Sequence, residues 1–239
     1  MSKSSQRGIS NVEYVQAEED LFRHYKDNKI FPSELLEQMN LFATAQHKRR
    51  ELFLYEIYKL LIDKPGAIAQ FGVRWGREIA LFEMYRTIFE PFNHSRIIYG
   101  FDTFSGYPTV SKTEQNELLK MGGLGLSKGY FDYLLEVLRT REKLNPLPQV
   151  EKFELIRGKV EDTLPKFLND KQHQLFVLVH LDLNLGNATR FVLKHIKKHL
   201  FKGSIIVVDE TCHPKMAGET LAVLEEFSGH KIALKRFPQ

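Results

Sequence analysis

Two apolar runs end in acid, Leu175-Phe-Val-Leu-Val-His-Leu-Asp182 and Ser204-Ile-Ile-Val-Val-Asp209-Glu210, and together they carry three carboxylates. Continuous apolar stretches rich in β-branched residues are the pattern of strands buried on both faces of a parallel sheet, which presents the carboxyl ends of its strands to ligands. Residues 187–200 between them have helical spacing, so the three pieces read as a βαβ unit with its acids on one edge. Asp182, Asp209 and Glu210 converging there suggest a site for a hard divalent ion such as Mg²⁺, which takes oxygen ligands.

A second group of residues lies earlier in the chain. An apolar run at 67–71 enters Gly72-Val-Arg-Trp-Gly76 and then a helical pattern. A Gly-rich turn from strand to helix admits a ligand close to the backbone and aims helix N–H groups at it. The next strand ends in Phe101-Asp102, and an acid at that position can accept both hydroxyls of a nucleoside ribose. The Gly-x-Gly-x-x-Gly of a nicotinamide enzyme and the Gly-Lys-Ser/Thr of a P-loop are both missing. A looser turn that keeps the ribose acid fits S-adenosylmethionine, which has no phosphates to cradle.

The elements that must position these groups follow from periodicity and breakers. Helical spacing predicts helices over 12–26, from a Ser cap at Pro32-Ser33 onward, and over 49–62, the last stopped by Lys64-Pro-Gly66. Strands are predicted over 67–71, 96–101, 153–157, 175–182, 204–210 and 232–236, and helices over 78–89, 130–144, 163–168, 187–200 and 217–227. Such alternation predicts an α/β chain with a Rossmann-like, doubly wound, mostly parallel sheet. Residues 1–64 read as an arm and helices packing on or capping a core over 65–239. The irregular stretch 105–128, with Gly106, Pro108 and Gly122-Gly-Leu-Gly125, reads as a lid-like insertion or a surface loop.

Composition narrows the class. A chain of 239 residues, 43% hydrophobic and 27% charged, has the balance of an ordinary globular protein. A net charge of +4, without a basic stripe interleaved with aromatics, makes no case for a nucleic-acid partner. The single Cys212 excludes an internal disulfide framework and fits a reducing compartment. No run is long enough to span a bilayer, and residues 1–10 lack a signal-peptide core, so a cytoplasmic protein without a membrane partner is expected.

Five segments occurring in this order carry a family resemblance: Gly72-Val-Arg-Trp-Gly76, Tyr99-Gly-Phe-Asp-Thr-Phe-Ser-Gly-Tyr-Pro108, Arg157-Gly-Lys-Val-Glu-Asp-Thr-Leu-Pro165, Leu181-Asp-Leu-Asn184 and Val207-Val-Asp-Glu210. Over residues 45–237 the chain resembles the macrocin O-methyltransferase family, which includes the mycinamicin and noviose O-methyltransferases and belongs to the class I methyltransferases. The resemblance implies metal-assisted methyl transfer from S-adenosylmethionine to a small-molecule oxygen, a sugar hydroxyl of a secondary metabolite. It places the cofactor on Gly72, Val73, Gly76, Asp102, Thr103, Phe104, Gly158, Lys159, Val160 and Asp182, and Mg²⁺ on Asp182, Asp209 and Glu210. The N-terminal helices and the 105–128 segment are expected to cover the acceptor and to support a homo-oligomer.

The chain departs from that family at informative places. Gln70 stands where an acid is usual, Arg74-Trp75 reverses the usual order, Arg77 and Glu78 replace small residues, and Glu210 replaces an Asp. Asn184 occupies the position of the family's general base and has no proton-accepting carboxylate. Three explanations stay open: His213 as the base, an ion that acidifies the hydroxyl by itself, or a carboxylate or phenol acceptor that needs no such base. A degenerate methyltransferase-like binding protein is the alternative of another class. His180, inside an apolar run, reads as a core residue.

Overall fold

A computed structural model describes residues 12–111, 114–115, 119–213, 216–230 and 232–235. The chain divides into two compact units, one ending at Phe53 and the other beginning at Leu54. In the first, α1 (Val12–Lys26) matches the predicted helix and has no buried residue. The helix expected from Pro32-Ser33 does not form. Residues 32–38 follow successive turns, with Glu34 N–H donating to Phe31 O (2.9 Å) and Glu37 N–H to Glu34 O (3.1 Å), and lead into a single 3₁₀ turn, Met39–Phe42. A Ser cap alone does not supply the apolar face that makes a short helix worth forming. α2 (Ala45–Lys59) runs across the boundary between the units.

The second unit continues with β1 (Ala67–Phe71), α3 (Arg77–Phe89), β2 (Ile98–Asp102), α4 (Tyr130–Glu142), β3 (Phe153–Arg157), α5 (Val160–Asp170), β4 (Phe176–Leu181), α6 (Gly186–Ile196), β5 (Ile205–Val208) and α7 (Gly218–Glu226). The sheet order is β3-β2-β1-β4-β5, and every pair is parallel. The chain therefore winds outward one way from β1 and returns to its other side with β4. Ligands of such folds sit at this reversal, outside the carboxyl ends of the strands. β1 and β4, the central pair, are buried at every residue, as their unbroken apolar runs require.

Two strand expectations need correction. β5 is an edge strand, with only Val207 fully buried, because it has a neighbour on one side alone. The strand predicted over 232–236 is missing from its described part: residues 232–235 have no regular structure, and Arg236 lies outside the described residues. The described sheet thus has five strands. No helix among the described residues is long and apolar enough to cross a membrane.

Aromatic rings fill the layer between the sheet and α5. Phe71 stacks on Phe101 at 4.7 Å, and Phe167 meets Tyr99 edge-on at 4.7 Å. α6 and α7 cross where Gly186 faces Gly218; a Cβ on Gly186 would lie 2.8 Å from the Gly218 Cα. Two buried charge groups brace the opposite end of the sheet. Arg96, 2% exposed, makes a two-pronged pair with Glu90 (3.0 and 2.9 Å) and donates to the carbonyls of Leu61, Lys64 and Gly66. Arg86 pairs with Glu142, and Lys152 approaches the same carboxylate at 2.9 Å.

Candidate active site

The first turn is built by backbone contacts that leave no room for side chains. Phe71 O accepts the Asp182 N–H (2.9 Å), and Gly72 N–H donates to Phe101 O (2.9 Å), so the ends of β1, β2 and β4 are tied together. Gly72 has φ +90°, and a Cβ there would fall 2.0 Å from the Asp182 carbonyl oxygen. Arg74 (φ +50°) and Gly76 (φ +81°) complete a turn that opens the N-terminus of α3.

Asp102 holds that turn. Its Oδ2 accepts the Val73 and Arg74 N–H groups (2.8 and 2.7 Å), and its Oδ1 accepts the Phe104 N–H (2.6 Å). A carboxylate offers about four acceptor positions. Three are taken up by the chain itself, which leaves one on Oδ1. Thr103 closes the following loop by donating its hydroxyl to Gly106 O (2.7 Å), and Phe104 packs edge-on against Phe131 at 4.9 Å. Gly158 (φ +143°) donates its N–H to Asp102 O (2.9 Å), and Lys159 and Val160 lead straight into α5. All ten residues expected to bind the cofactor therefore lie at the carboxyl ends of β1 to β4.

Gln70 adds an observation that the sequence left open. Its side chain is wholly buried; Nε2 donates to Gly72 O (2.8 Å), while Oε1 has no partner among the described residues. An unpaired buried acceptor is costly and points to a donor brought by a ligand.

The acceptor half of the edge is organised by a residue that the sequence reading missed. Glu219, fully buried at the start of α7, accepts the N–H groups of Leu183 and Asn184 on Oε1 (2.9 Å each) and that of Glu210 on Oε2 (3.3 Å). One carboxylate thus clasps the loops after both β4 and β5. Burial pushes its pKa up to about 7; the three N–H groups oppose that rise and the charge of Asp209 adds to it. An acid in a first helical turn is commonplace, so its type and position gave no sign of burial.

Stability is accordingly expected to fall as pH rises from about 4.5 to about 7, the ordinary and folded values of this carboxyl. Below that window both folded and unfolded forms are protonated. Within it only the unfolded form ionises, and above it both are ionised and nothing further is lost. The contribution is about 3 kcal/mol. Urea titrations across the window should show a flatter slope for Glu219→Gln than for the parent chain; equal slopes would refute the assignment.

Asn184 sits above this clasp with φ +60° and donates its side-chain Nδ2–H to the Tyr107 hydroxyl oxygen (3.0 Å). Tyr107 comes from the 105–128 segment, which folds back on itself where Tyr107 N–H donates to Gly123 O (3.0 Å) and Gly122 N–H to Tyr107 O (2.8 Å). From the same segment Glu114 accepts the Gly186 N–H (2.5 Å) at the start of α6.

Among the described residues no three His, Cys, Asp or Glu side chains are arranged to hold an ion. β4 and β5 do end side by side, with Asp209 N–H donating to Leu181 O (3.1 Å). However, β5 stops at Val208 and the chain turns through 209–212, so Asp209 and Glu210 leave on a turn, not on an extended strand end. Asp182, Asp209 and Glu210 each have an interaction of their own. His213 is half-buried on the same loop, its N–H on Glu210 O (3.3 Å). Cys212 is exposed, with its N–H on the Thr220 hydroxyl (2.8 Å). His180 is buried against Phe82, as a core residue should be.

Proteins of known structure share this architecture. No protein-family model and no curated protein sequence matches the chain. Among solved structures, the chain is 32% identical to CalS11, a calicheamicin methyltransferase, with a TM-score of 0.88 over 91% of this chain and 85% of that one. A second CalS11 structure, titled as the apo form of a TDP-rhamnose 3'-O-methyltransferase, matches at 30% identity and a TM-score of 0.79, over 91% and 86%. The O-methyltransferase NovP shares the fold, at 18% identity and a TM-score of 0.55 over 74% of this chain and 72% of that one. The chain is an enzyme and belongs to the O-methyltransferase family that contains CalS11.

Proposed function

We propose that this enzyme transfers a methyl group from S-adenosylmethionine to a hydroxyl of a sugar in natural-product biosynthesis, a nucleotide-linked deoxysugar being the acceptor class. The observation that supports it most is the contact of Gly72 with Asp182 at the reversal of the sheet, beside the unpaired Oε1 of Gln70. The cradle and the orphaned acceptor suit an α-amino acid's ammonium group lying next to the turn. When bound, the cofactor supplies an electrophilic methyl on a sulfonium.

The chain's own residues bind and orient. Gln70 Oε1 accepts from the ammonium, the remaining position on Asp102 takes a ribose hydroxyl, and the turn at Gly158 lies near the adenine. Asp182, Asp209, Glu210 and Glu219 make the acceptor edge acidic, which suits a sulfonium and disfavours a carboxylate acceptor. His213 is the imidazole this loop offers to take the hydroxyl proton. The carboxylate pattern and the family resemblance both suggest Mg²⁺, although among the described residues no three such side chains are grouped to hold an ion.

Calorimetry with S-adenosylhomocysteine tests the cofactor site. Saturable binding is expected, with Gln70→Leu weaker by roughly 10–100-fold for a lost hydrogen bond to a charged group. No binding by the parent chain would refute the reading. In a transfer assay with TDP-rhamnose, an unshifted pH–rate profile for His213→Ala would remove it as base. A rate abolished by chelation and restored by Mg²⁺ would put an ion at the three acids.

A further inference from the structure

Asn184 is held from both sides. Its backbone sits in the left-handed region, at φ +60°, where Asn is tolerated but most residues are strained. Glu219 fixes it from below by taking its N–H and that of Leu183 on one oxygen. Tyr107 fixes it from above by accepting one amide hydrogen at 3.0 Å. Tyr107 is itself set by the Gly122–Gly123 fold-back, in which Gly106 must lack a Cβ because one would lie 2.5 Å from Gly123 O. Rigidity of this degree, in a loop at the acceptor edge, goes beyond what a tether needs and matches what a binding group needs.

The hydrogen-bond inventory shows what the pair can bind. Because Tyr107 accepts from Asn184, its phenolic hydrogen is left to donate elsewhere; because Asn184 donates through Nδ2, its Oδ1 is left to accept. Neither atom has a further partner among the described residues. Side by side they present one donor and one acceptor, both uncharged. We propose that Tyr107 and Asn184 clamp two adjacent hydroxyls of the acceptor sugar, the phenol donating to one oxygen and the Asn184 carbonyl accepting from the other, with Glu219 as the positioning residue beneath them.

Surrounding charge supports this substrate class. Burial pushes the Tyr107 phenol up to about 12, the bond from Asn184 opposes that rise, and the charges of Asp182 and Glu219 add to it, so the group stays a donor across the working range. Those same carboxylates would repel an anionic group placed directly against the pair. A neutral diol meets no such penalty. The proposal rests on the reading of the chain as a sugar O-methyltransferase, and it turns the absence of a carboxylate at position 184 into a basis for selectivity.

The test uses the full chain saturated with S-adenosylmethionine, with TDP-rhamnose and its 2-deoxy and 4-deoxy analogues as probes. Tyr107→Phe is expected to raise the KM for TDP-rhamnose roughly 10-fold, the size of one hydrogen bond, with S-adenosylhomocysteine affinity unchanged. Against the one deoxy analogue that already lacks the clamped hydroxyl, the substitution should cost nothing more, because the two changes remove the same contact. Asn184→Gly, which keeps the positive φ, should show the same non-additivity with the acceptor's other hydroxyl or with the methylated position itself. Equal losses on all three sugars, or no loss on any, would overturn the clamp while leaving the methyltransferase reading intact. A parent chain that binds the cofactor yet neither binds nor methylates TDP-rhamnose would overturn the sugar reading and the clamp with it.

Discussion

Gly72→Ala is expected to lose about 2–5 kcal/mol of stability and, at temperatures where it remains folded, to lose cofactor binding. Two separate costs combine. At φ +90° an L-residue is strained, and the new Cβ would sit 2.0 Å from the Asp182 carbonyl oxygen, a backbone atom directly after a fully buried strand and unable to swing aside as a side chain could. Relief requires β1 and β4 to part at their carboxyl ends, which is where the site is assembled. Gly129→Ala separates the two costs, since Gly129 has φ +80° but no described atom within 4 Å of its built Cβ. It should show the conformational cost alone, about 1–2 kcal/mol, with cofactor binding intact. Urea midpoints and S-adenosylhomocysteine calorimetry on both variants check this. Equal behaviour of the two would show that the approach of Gly72 to Asp182 is dispensable.

Arg96→Ala should produce a comparable loss, about 3–5 kcal/mol, with the opposite functional signature. The guanidinium is 2% exposed and joins Glu90 to three carbonyls before β1. Its removal leaves Glu90, which also accepts from Tyr58 (2.8 Å) and Asn93 (2.8 Å), as a carboxylate with its cation gone. Burial opposes ionisation of Glu90, yet hydrogen bonds from Arg96, Tyr58 and Asn93 hold its pKa below the ordinary carboxylate value. That depressed value contributes stability above the ordinary range, lost as pH falls through the folded pKa. Arg96→Ala should remove this acid-side dependence together with the stability. Because the pair lies at the amino end of the sheet, folded Arg96→Ala should bind S-adenosylhomocysteine like the parent. Weakened binding would show that this end communicates with the site. Arg96→Lys, which keeps the charge but lacks the planar fork, should fall between.

Much of the architecture was legible because the central elements carry redundant signals. The 67–71 and 153–157 strands and the 12–26 helix coincide with β1, β3 and α1, each an apolar or helical pattern bounded by breakers. The errors fall where one signal stood alone. A Ser cap without an apolar face gave a helix that is a series of turns, and a short apolar run beginning at Ile232 gave a strand whose described part does not pair. At the site, residue types at strand ends picked out groups that do gather at the carboxyl ends of β1 to β4, but could not show that Asp102 holds its own turn. Tyr107 and Glu219 escaped notice because their importance comes from burial and from partners distant in the chain: Glu219 meets Leu183 and Asn184, and Tyr107 meets Asn184. Nor could three acids in sequence show that Asp209 and Glu210 leave β5 on a turn and not on an extended strand end.

The strand order also dictates when in its synthesis the chain can become competent. Ala67 waits for Phe176 before the middle of the sheet exists, and β5 must then dock outside β4. Pairings that span so much intervening chain form late and slowly, because loop closure precedes any contact that compensates it. A nascent chain carrying only β1, β2 and β3 can shape the turn around Asp102 but has neither Asp182 nor the carboxylate of Glu219. The turn around Asp102 is therefore shaped long before the edge that Asp182 and Glu219 complete. During that interval the hydrogen-bonding edge of β1 awaits its partner, and unpaired strand edges of this kind are prone to mispairing.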